Sequence, residues 1–308
     1  MEANMVGQIV ELSRPGLAMN KSRGFLTVSS AGSEVGRVGF ENIEAVLTSN
    51  PGLMWSNDAL AELAARQVPV MLLGQTFRPT AIVLPLGDHH AQAYRFRAQA
   101  AASLPIQKQA WASLVRHKIA AQAAVLERIG SHSERLNRLL SSVKSGDPNN
   151  REAQAAQTYW PLLLGRDFCR DRQADGANAL LNYGYTVLRA ATARAIVSAG
   201  LHPSLSLHHR SGGDALALAD DLMEPFRPTI DLAVFRLLKI GKTEVAEARE
   251  DLVCCLTSDF PTKNGLTPLT QVISRLAQSL AQSFIDKKLR LEFPTKPLPS
   301  EQSEGRYE

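Results

Sequence analysis

Asp220-Asp221-Leu222-Met223-Glu224 packs three carboxylates into five positions of an apolar stretch, Ala215 to Met223, that reads as a helix. Pro225 predicts the end of that helix, and Pro225-Phe226-Arg227-Pro228 follows. Asp221 and Glu224 are three apart, so a helix puts them on one face, beside Leu216, Leu218, Leu222 and Met223. Acids among such neighbours are costly to bury unless a cation or strong hydrogen-bond donors meet them. Any fold for this chain must therefore bring a counter-charge here. His208-His209 lies just upstream, and Glu152 opens another helix-like stretch. Convergence of these segments on one divalent metal is the sharpest expectation the residues support.

A chain of 308 residues suits two modest domains. No apolar run approaches the roughly 18–20 residues of a membrane span, so no membrane association is expected. Met1-Glu2-Ala3-Asn4 lacks the basic and apolar regions of a secretory signal. The cysteines, Cys169, Cys254 and Cys255, have no metal-binding spacing, and such usage suits a reducing cytoplasm. Residues 1–87 hold six Lys/Arg against seven Asp/Glu, residues 88–175 thirteen against eight, and residues 176–308 fifteen of each. The basic excess therefore lies in the middle. It suits a DNA-handling enzyme, or simply a solvated helix surface.

The fold class expected is α+β, a small β-rich N-terminal domain followed by a larger all-α catalytic domain. Gln8–Leu12, Gly24–Val28 and Val35–Phe40 are short, partly alternating stretches between turn residues, and Val68–Leu73 and Thr80–Pro85 return to strand chemistry. Ile43 to Leu47 lies among them, and Ser56-Asn57-Asp58 predicts the cap of one helix through Leu60 and Leu63. The β-rich domain is placed at 1–87. The helical domain is placed at 88–293, with helices over 91–102, 105–129, 131–143, from Arg151 to Pro161, 176–199, 229–240, 244–256 and 267–288. Asn149-Asn150 offers an N-cap for the helix carrying Glu152, and Gly200 a C-cap for the long Ala-rich one. Residues 294–308 are polar and proline-bearing and read as a disordered tail.

If Glu152, His209 and Glu224 meet, two carboxylates and an imidazole would hold Mg²⁺ or Mn²⁺ and leave positions for water and substrate oxygens. Such an ion stabilises charge during in-line displacement at a phosphodiester. Asp221 would stand beside the ligands, directly or through water. Each residue also has a plainer reading. Glu152 would favour the positive end of a helix dipole, the histidines would be ordinary loop residues, and Asp220 and Asp221 exposed acids. Arg227 as a structural partner for Glu224 is the main rival to a metal.

Several motifs in order resemble the CRISPR-associated spacer-acquisition integrase. They are Asn150-Arg151-Glu152-Ala153-Gln154-Ala155-Ala156, Asn182-Tyr183-Gly184-Tyr185, Gly200-Leu201-His202-Pro203 through His209, and Asp221 to Pro228. The resemblance spans nearly the whole chain, and most of all the variant from systems with a single large effector nuclease. It implies a metal-dependent DNA endonuclease and integrase using Mg²⁺ or Mn²⁺. That enzyme joins the 3′ ends of captured double-stranded DNA into the CRISPR repeat. It implies a homodimer, a heterohexamer with a small ferredoxin-like adaptation subunit, and contact with the large effector nuclease. For the β-rich domain it implies a role in dimerisation and DNA contact. The family's metal ligands fall on Glu152, His209 and Glu224, and its accompanying acid on Asp221. His209 rather than His208 matches because the family's histidine stands six residues after the position of Pro203. Ala153 and Ser206 replace two common glycines of the family.

Joining by transesterification exchanges like bonds, and the chain accordingly has no GxxxxGK[ST] phosphate loop. Arg151, Arg166, Arg170 and Arg172 are the candidates to hold DNA phosphates, with Arg227 orienting Glu224 or the scissile phosphate. The other readings are a metal-dependent repair nuclease, with water as nucleophile, and a non-catalytic DNA-binding scaffold whose acids form salt bridges.

Overall fold

The computed structural model describes residues 8–74, 79–83, 92–171, 173–208 and 214–301. Residue contacts divide the chain into two units, Met1–His90 and Ala91–Glu308. The expected joint was 87/88.

Among the described residues the first unit holds two four-stranded sheets and one α-helix. In the first sheet β1 (Gln8–Leu12), β5 (Ile43–Thr48) and β7 (Val70–Leu73) run parallel, and β8 (Pro79–Val83) pairs antiparallel at the edge. In the second, β2 (Leu17–Ser22), β3 (Phe25–Ser30) and β4 (Ser33–Gly39) form an antiparallel meander. The two-residue β6 (Met54–Trp55) joins β2 in parallel. Both hairpins close through two-residue turns, Arg23-Gly24 and Ala31-Gly32, in which all four residues have left-handed φ. Those turns match the twist of the strands they join. Helix α1 (Asn57–Ala65) starts as expected, with Ser56 Oγ accepting from the Ala59 N–H at 3.3 Å. Met19, Leu26, Phe40, Ile43, Val46, Leu63 and Val70 fill the core between these elements.

The second unit is mainly helical: α2 (Gln92–Ala100), α3 (Leu104–Arg128), α4 (Glu134–Ser141), α5 (Arg151–Leu164), α6 (Ala177–Ser198), α7 (Ala217–Met223), α8 (Arg227–Lys239), α9 (Val245–Cys254) and α10 (Leu269–Asp286). The Ala-rich α6 is the central rod, with most of its residues buried. Gly184 admits a close neighbour: a Cβ there would sit 2.4 Å from Ile230 Cγ2 of α8. No helix among the described residues is long and apolar enough to cross a membrane.

Three expectations are corrected, and the stop at Pro225 holds with an addition. The helical unit is not all-α, because β9 (Asp259–Thr262) and β10 (Gly265–Pro268) form a hairpin before α10. Its prolines disguise it, yet Phe260 is buried and packs edge-on against Phe226. Pro161 does not end α5, which continues to Leu164. The carbonyl that loses its partner belongs to the exposed Gln157, where solvent can serve it. Pro225 ends α7 but not the helical path. A single 3-10 turn, Glu224–Phe226, leads straight into α8, and both Pro225 and Pro228 occupy first-turn positions that need no N–H donor. The segment 294–301 of the expected tail is packed: Leu298 is 2% exposed. There Thr295 N–H donates to the Pro261 carbonyl and Ser300 N–H to that of Asp259, each at 2.8 Å. The rest of the tail, 302–308, lies outside the described residues.

Candidate metal centre

Glu152 owes its place to the loop before α5. Asp147, with left-handed φ, turns a buried carboxylate back to the new helix. Its Oδ1 accepts from the Arg151 N–H at 2.9 Å and its Oδ2 from the Glu152 N–H at 3.0 Å. Asn150 caps as the sequence predicts, its Oδ1 accepting from the Ala153 N–H at 3.3 Å. The first turn of α5 is thus clamped twice, and Glu152 leaves it in a fixed direction.

Glu224 comes from the 3-10 turn between α7 and α8. The two acids face the same cation, the ammonium of Lys118 on α3. Its Nζ stands 2.6 Å from Glu152 Oε1 and 2.5 Å from Glu224 Oε2. The side chains of Lys118, Glu152 and Glu224 are only 13%, 20% and 6% exposed, so little solvent screens the group. Arg227 completes it, with Nε 2.9 Å from Glu224 Oε1. Burial alone would lower the Lys118 pKa, but Glu224 and Glu152 together more than offset it and hold the ammonium above its ordinary value. Burial likewise opposes the Arg227 charge, and Glu224 with its neighbours leaves the guanidinium raised.

Behind the ions stands a second buried group. Arg227 lies over the Tyr185 ring at 4.5 Å, and Arg170 also faces that ring, at 5.5 Å. The Tyr185 hydroxyl donates to Asp231 of α8. Burial raises the Asp231 pKa to about 7, against the lowering effect of the Tyr185 and Tyr159 hydroxyls, Lys118 and Arg227. Burial, then the Asp231 charge, pushes both tyrosines well above their usual range. Each residue of Asn182-Tyr183-Gly184-Tyr185 thereby gains a reason. Asn182 Oδ1 accepts from Arg170 Nη2 at 2.7 Å, Tyr183 is buried in the core, Gly184 admits Ile230, and Tyr185 supports Arg227.

Asp221 and Asp220 each have partners of their own. Buried Asp221 turns to the preceding loop, its Oδ2 accepting from the Leu207 N–H at 2.6 Å and the His208 N–H at 3.1 Å. The His208 ring lies flat on Trp111 of α3, centroids 4.3 Å apart and planes 4° apart. Further up the same loop, Gln99 of α2 takes both backbone groups of His202 and the Leu205 carbonyl. Asp220 pairs with Arg189 at 2.6 Å, and burial still leaves its pKa raised.

Of the residues singled out in the sequence, then, Glu152 and Glu224 come together, with Arg227 against Glu224. Asp221 holds the loop backbone at Leu207 and His208 through its Oδ2. His209 and Arg172 lie outside the described residues. Among the described residues no group of three or more His, Cys, Asp or Glu is placed to hold a metal. Arg170 is engaged by Asn178 and Asn182, Arg151 by Gln154, and Arg166 is exposed. The salt bridge posed as the rival to a metal is present, and Lys118 enlarges it. Sequence reasoning missed Lys118, Asp147, Asp231 and Trp111. Lys118 is one cation among many on a long helix, with nothing local to mark it. Asp147, in a Gly-Asp-Pro-Asn-Asn loop, carried a legible turn signal.

Two carboxylates from separate helices facing one cation in a poorly solvated place fit an oxygen-seeking divalent ion. Two such ligands alone are a partial set.

The site and scaffold define a class: a β-rich unit before a helical unit that brings paired carboxylates to a cation. A family model, CRISPR associated protein Cas1, matches residues 10–263. The chain is 39% identical over 207 residues to the CRISPR-associated endonuclease Cas1 of Neisseria meningitidis serogroup C, covering 67% of this chain and 68% of that one. Two solved structures share the fold. One is a casposase bound to integration product, at TM-score 0.75 and 22% identity over 94% of this chain and 93% of that one. The other is a chain of a Cas6-RT-Cas1–Cas2 complex, at TM-score 0.76 and 20% identity over 96% of this chain and 37% of that one. This chain belongs to the Cas1 family of CRISPR-associated proteins.

Proposed function

We propose that the chain is a metal-dependent DNA endonuclease and integrase that joins 3′ ends of captured duplex DNA into a CRISPR repeat by transesterification. The observation that carries the reading is the meeting of Glu152 and Glu224 on one cation, in a member of the Cas1 family. The Neisseria relative's name and the casposase's integration product support the chemistry. Glu152 and Glu224, with His209 as third ligand, would hold Mg²⁺ or Mn²⁺. When bound, the ion supplies charge neutralisation at the phosphodiester and activation of the attacking hydroxyl.

The chain's own residues do the positioning. Asp147 aims Glu152. Arg227, held over Tyr185, fixes the Glu224 carboxylate. Asp221 holds the backbone at Leu207 and His208, next to His209. Arg170 and Arg227 are occupied inside the unit, so DNA phosphates fall to Arg151, Arg166 and Arg172. A homodimer, a small Cas2-like subunit and the large effector nuclease are the proposed partners; a complex named for both Cas1 and Cas2 supports the second.

The Glu224–Arg227 ion pair favours a second reading, a DNA-binding scaffold with no chemistry. Strand transfer separates the readings. Protein, Mn²⁺, a duplex with a free 3′ hydroxyl and supercoiled repeat DNA should yield joined products, lost in Glu224→Ala. Nicks alone would indicate a nuclease using water. Under the scaffold reading Glu224→Ala lowers stability and there is no metal-dependent product to lose.

A further inference from the structure

Lys118 has no role in the chemistry above, yet its ammonium occupies the point between the two carboxylates that a shared metal ion would take. Resting on the proposed metal reading, we propose that Lys118 is a resident cation of the site. It holds Glu152 and Glu224 together in the metal-free protein, and an incoming divalent ion must displace it. In this role it is a positioning residue, acting through the two acids.

Charge balance and geometry both favour displacement. Without metal, Glu152 and Glu224 face Lys118 and Arg227. Asp220 also stands 4.0 Å from Arg227 and is itself held by Arg189, so every charge has a partner within ion-pair distance. Remove the ammonium and two carboxylates repel across a place with little solvent. Add a doubly charged ion while the ammonium stays, and the group carries an excess of two positive charges, which a site of low polarity tolerates poorly. The two states therefore exclude each other. The side chain is suited to leaving: Arg227 is braced by the Tyr185 ring, whereas Lys118 sits at the end of a flexible four-carbon stem. Its helix contributes no other acid, histidine or cysteine that contacts the two glutamates among the contacts described.

The experiment compares wild type with Lys118→Met, which keeps the length of the stem and removes the charge. Three readings are taken: melting temperature in EDTA, Mn²⁺ affinity by calorimetry, and acetylation of Lys118 in the wild type by mass spectrometry. The metal-free melting temperature should fall by roughly 5–10 °C, because a buried pair loses one partner. Mn²⁺ should bind the variant at least about tenfold more tightly, a difference of about 1.4 kcal/mol. In the wild type, Mn²⁺ should speed acetylation of Lys118. If both proteins bind Mn²⁺ equally, the displacement is overturned while the metal reading stands, and a lower melting temperature alone would leave Lys118 a structural counter-ion. If neither binds Mn²⁺, the metal reading falls and the displacement with it. Should Lys118→Met fail to fold, acetylation of the wild type decides: a rate unmoved by Mn²⁺ overturns the proposal.

Discussion

Replacing Asp231 by asparagine should remove a pH dependence of stability that the wild type carries. Asp231 is 2% exposed and titrates near 7 in the folded chain, against about 3.9 in an unfolded one. Between those values the folded state holds a proton that the unfolded state has released. Stability from this group is therefore complete below about pH 4 and is lost as pH rises toward 7. Three pKa units correspond to about 4 kcal/mol, an upper bound reached only if the cavity stays closed as the carboxylate ionises. The asparagine side chain would keep an oxygen for the Tyr185 hydroxyl and could not ionise. The assay is urea unfolding of both proteins in EDTA from pH 4.5 to 8. The wild-type advantage over Asp231→Asn should shrink steadily across the range, by up to about 3 kcal/mol of that total, and level off as the pH nears 8. Parallel curves would refute the reasoning, because they would mean Asp231 ionises as an ordinary carboxylate.

The remaining predictions touch other parts of the same assembly. Tyr185→Phe removes the donor to Asp231 but keeps the ring under Arg227, so it should cost roughly 1–3 kcal/mol at pH 7.5. It should also move the Asp231 transition to higher pH, which the same titration reads. Asp221→Ala releases the Leu207 and His208 N–H groups, one of them buried, and should cost roughly 1–3 kcal/mol in thermal unfolding. If Asp221 acts through the loop, strand transfer should fall further than Mn²⁺ affinity. A loss of Mn²⁺ affinity as large as that of Glu224→Gln would make Asp221 a ligand. Gly184→Ala sets a Cβ against Ile230 Cγ2 and should cost roughly 1–3 kcal/mol of stability through overpacking. An unchanged melting temperature would show that α6 and α8 separate easily.

Much of this architecture could be read from residue order because each signal is local. Partial alternation marks β1, a continuous apolar run marks β7, a serine before Asn57-Asp58 marks α1, and Ala-rich periodicity marks α6. Where local signals mislead, packing had the final word. β2, Leu17–Ser22, has little strand character of its own and exists because a two-residue turn folds it onto β3. The β9–β10 hairpin survives its prolines because Phe260 is buried in the core, and the 294–301 segment is ordered by backbone pairing to that same hairpin. At the site, the acids announced themselves, since carboxylates among apolar residues require a partner. Which partner they find is a long-range fact. Glu152 and Glu224 are brought together by Lys118, a residue that sequence alone cannot tell from its neighbours on α3. Asp221, three residues before Glu224, has a task that no spacing rule announces: its Oδ2 takes the N–H groups of Leu207 and His208 in the preceding loop.

The most direct measurement is anomalous diffraction at the manganese edge from crystals grown with Mn²⁺. A single strong peak about 2.1 Å from carboxylate oxygens of both Glu152 and Glu224 is the predicted result. Crystals saturated with Mn²⁺ in which both carboxylates still grip Lys118, with no peak between them, would contradict the account.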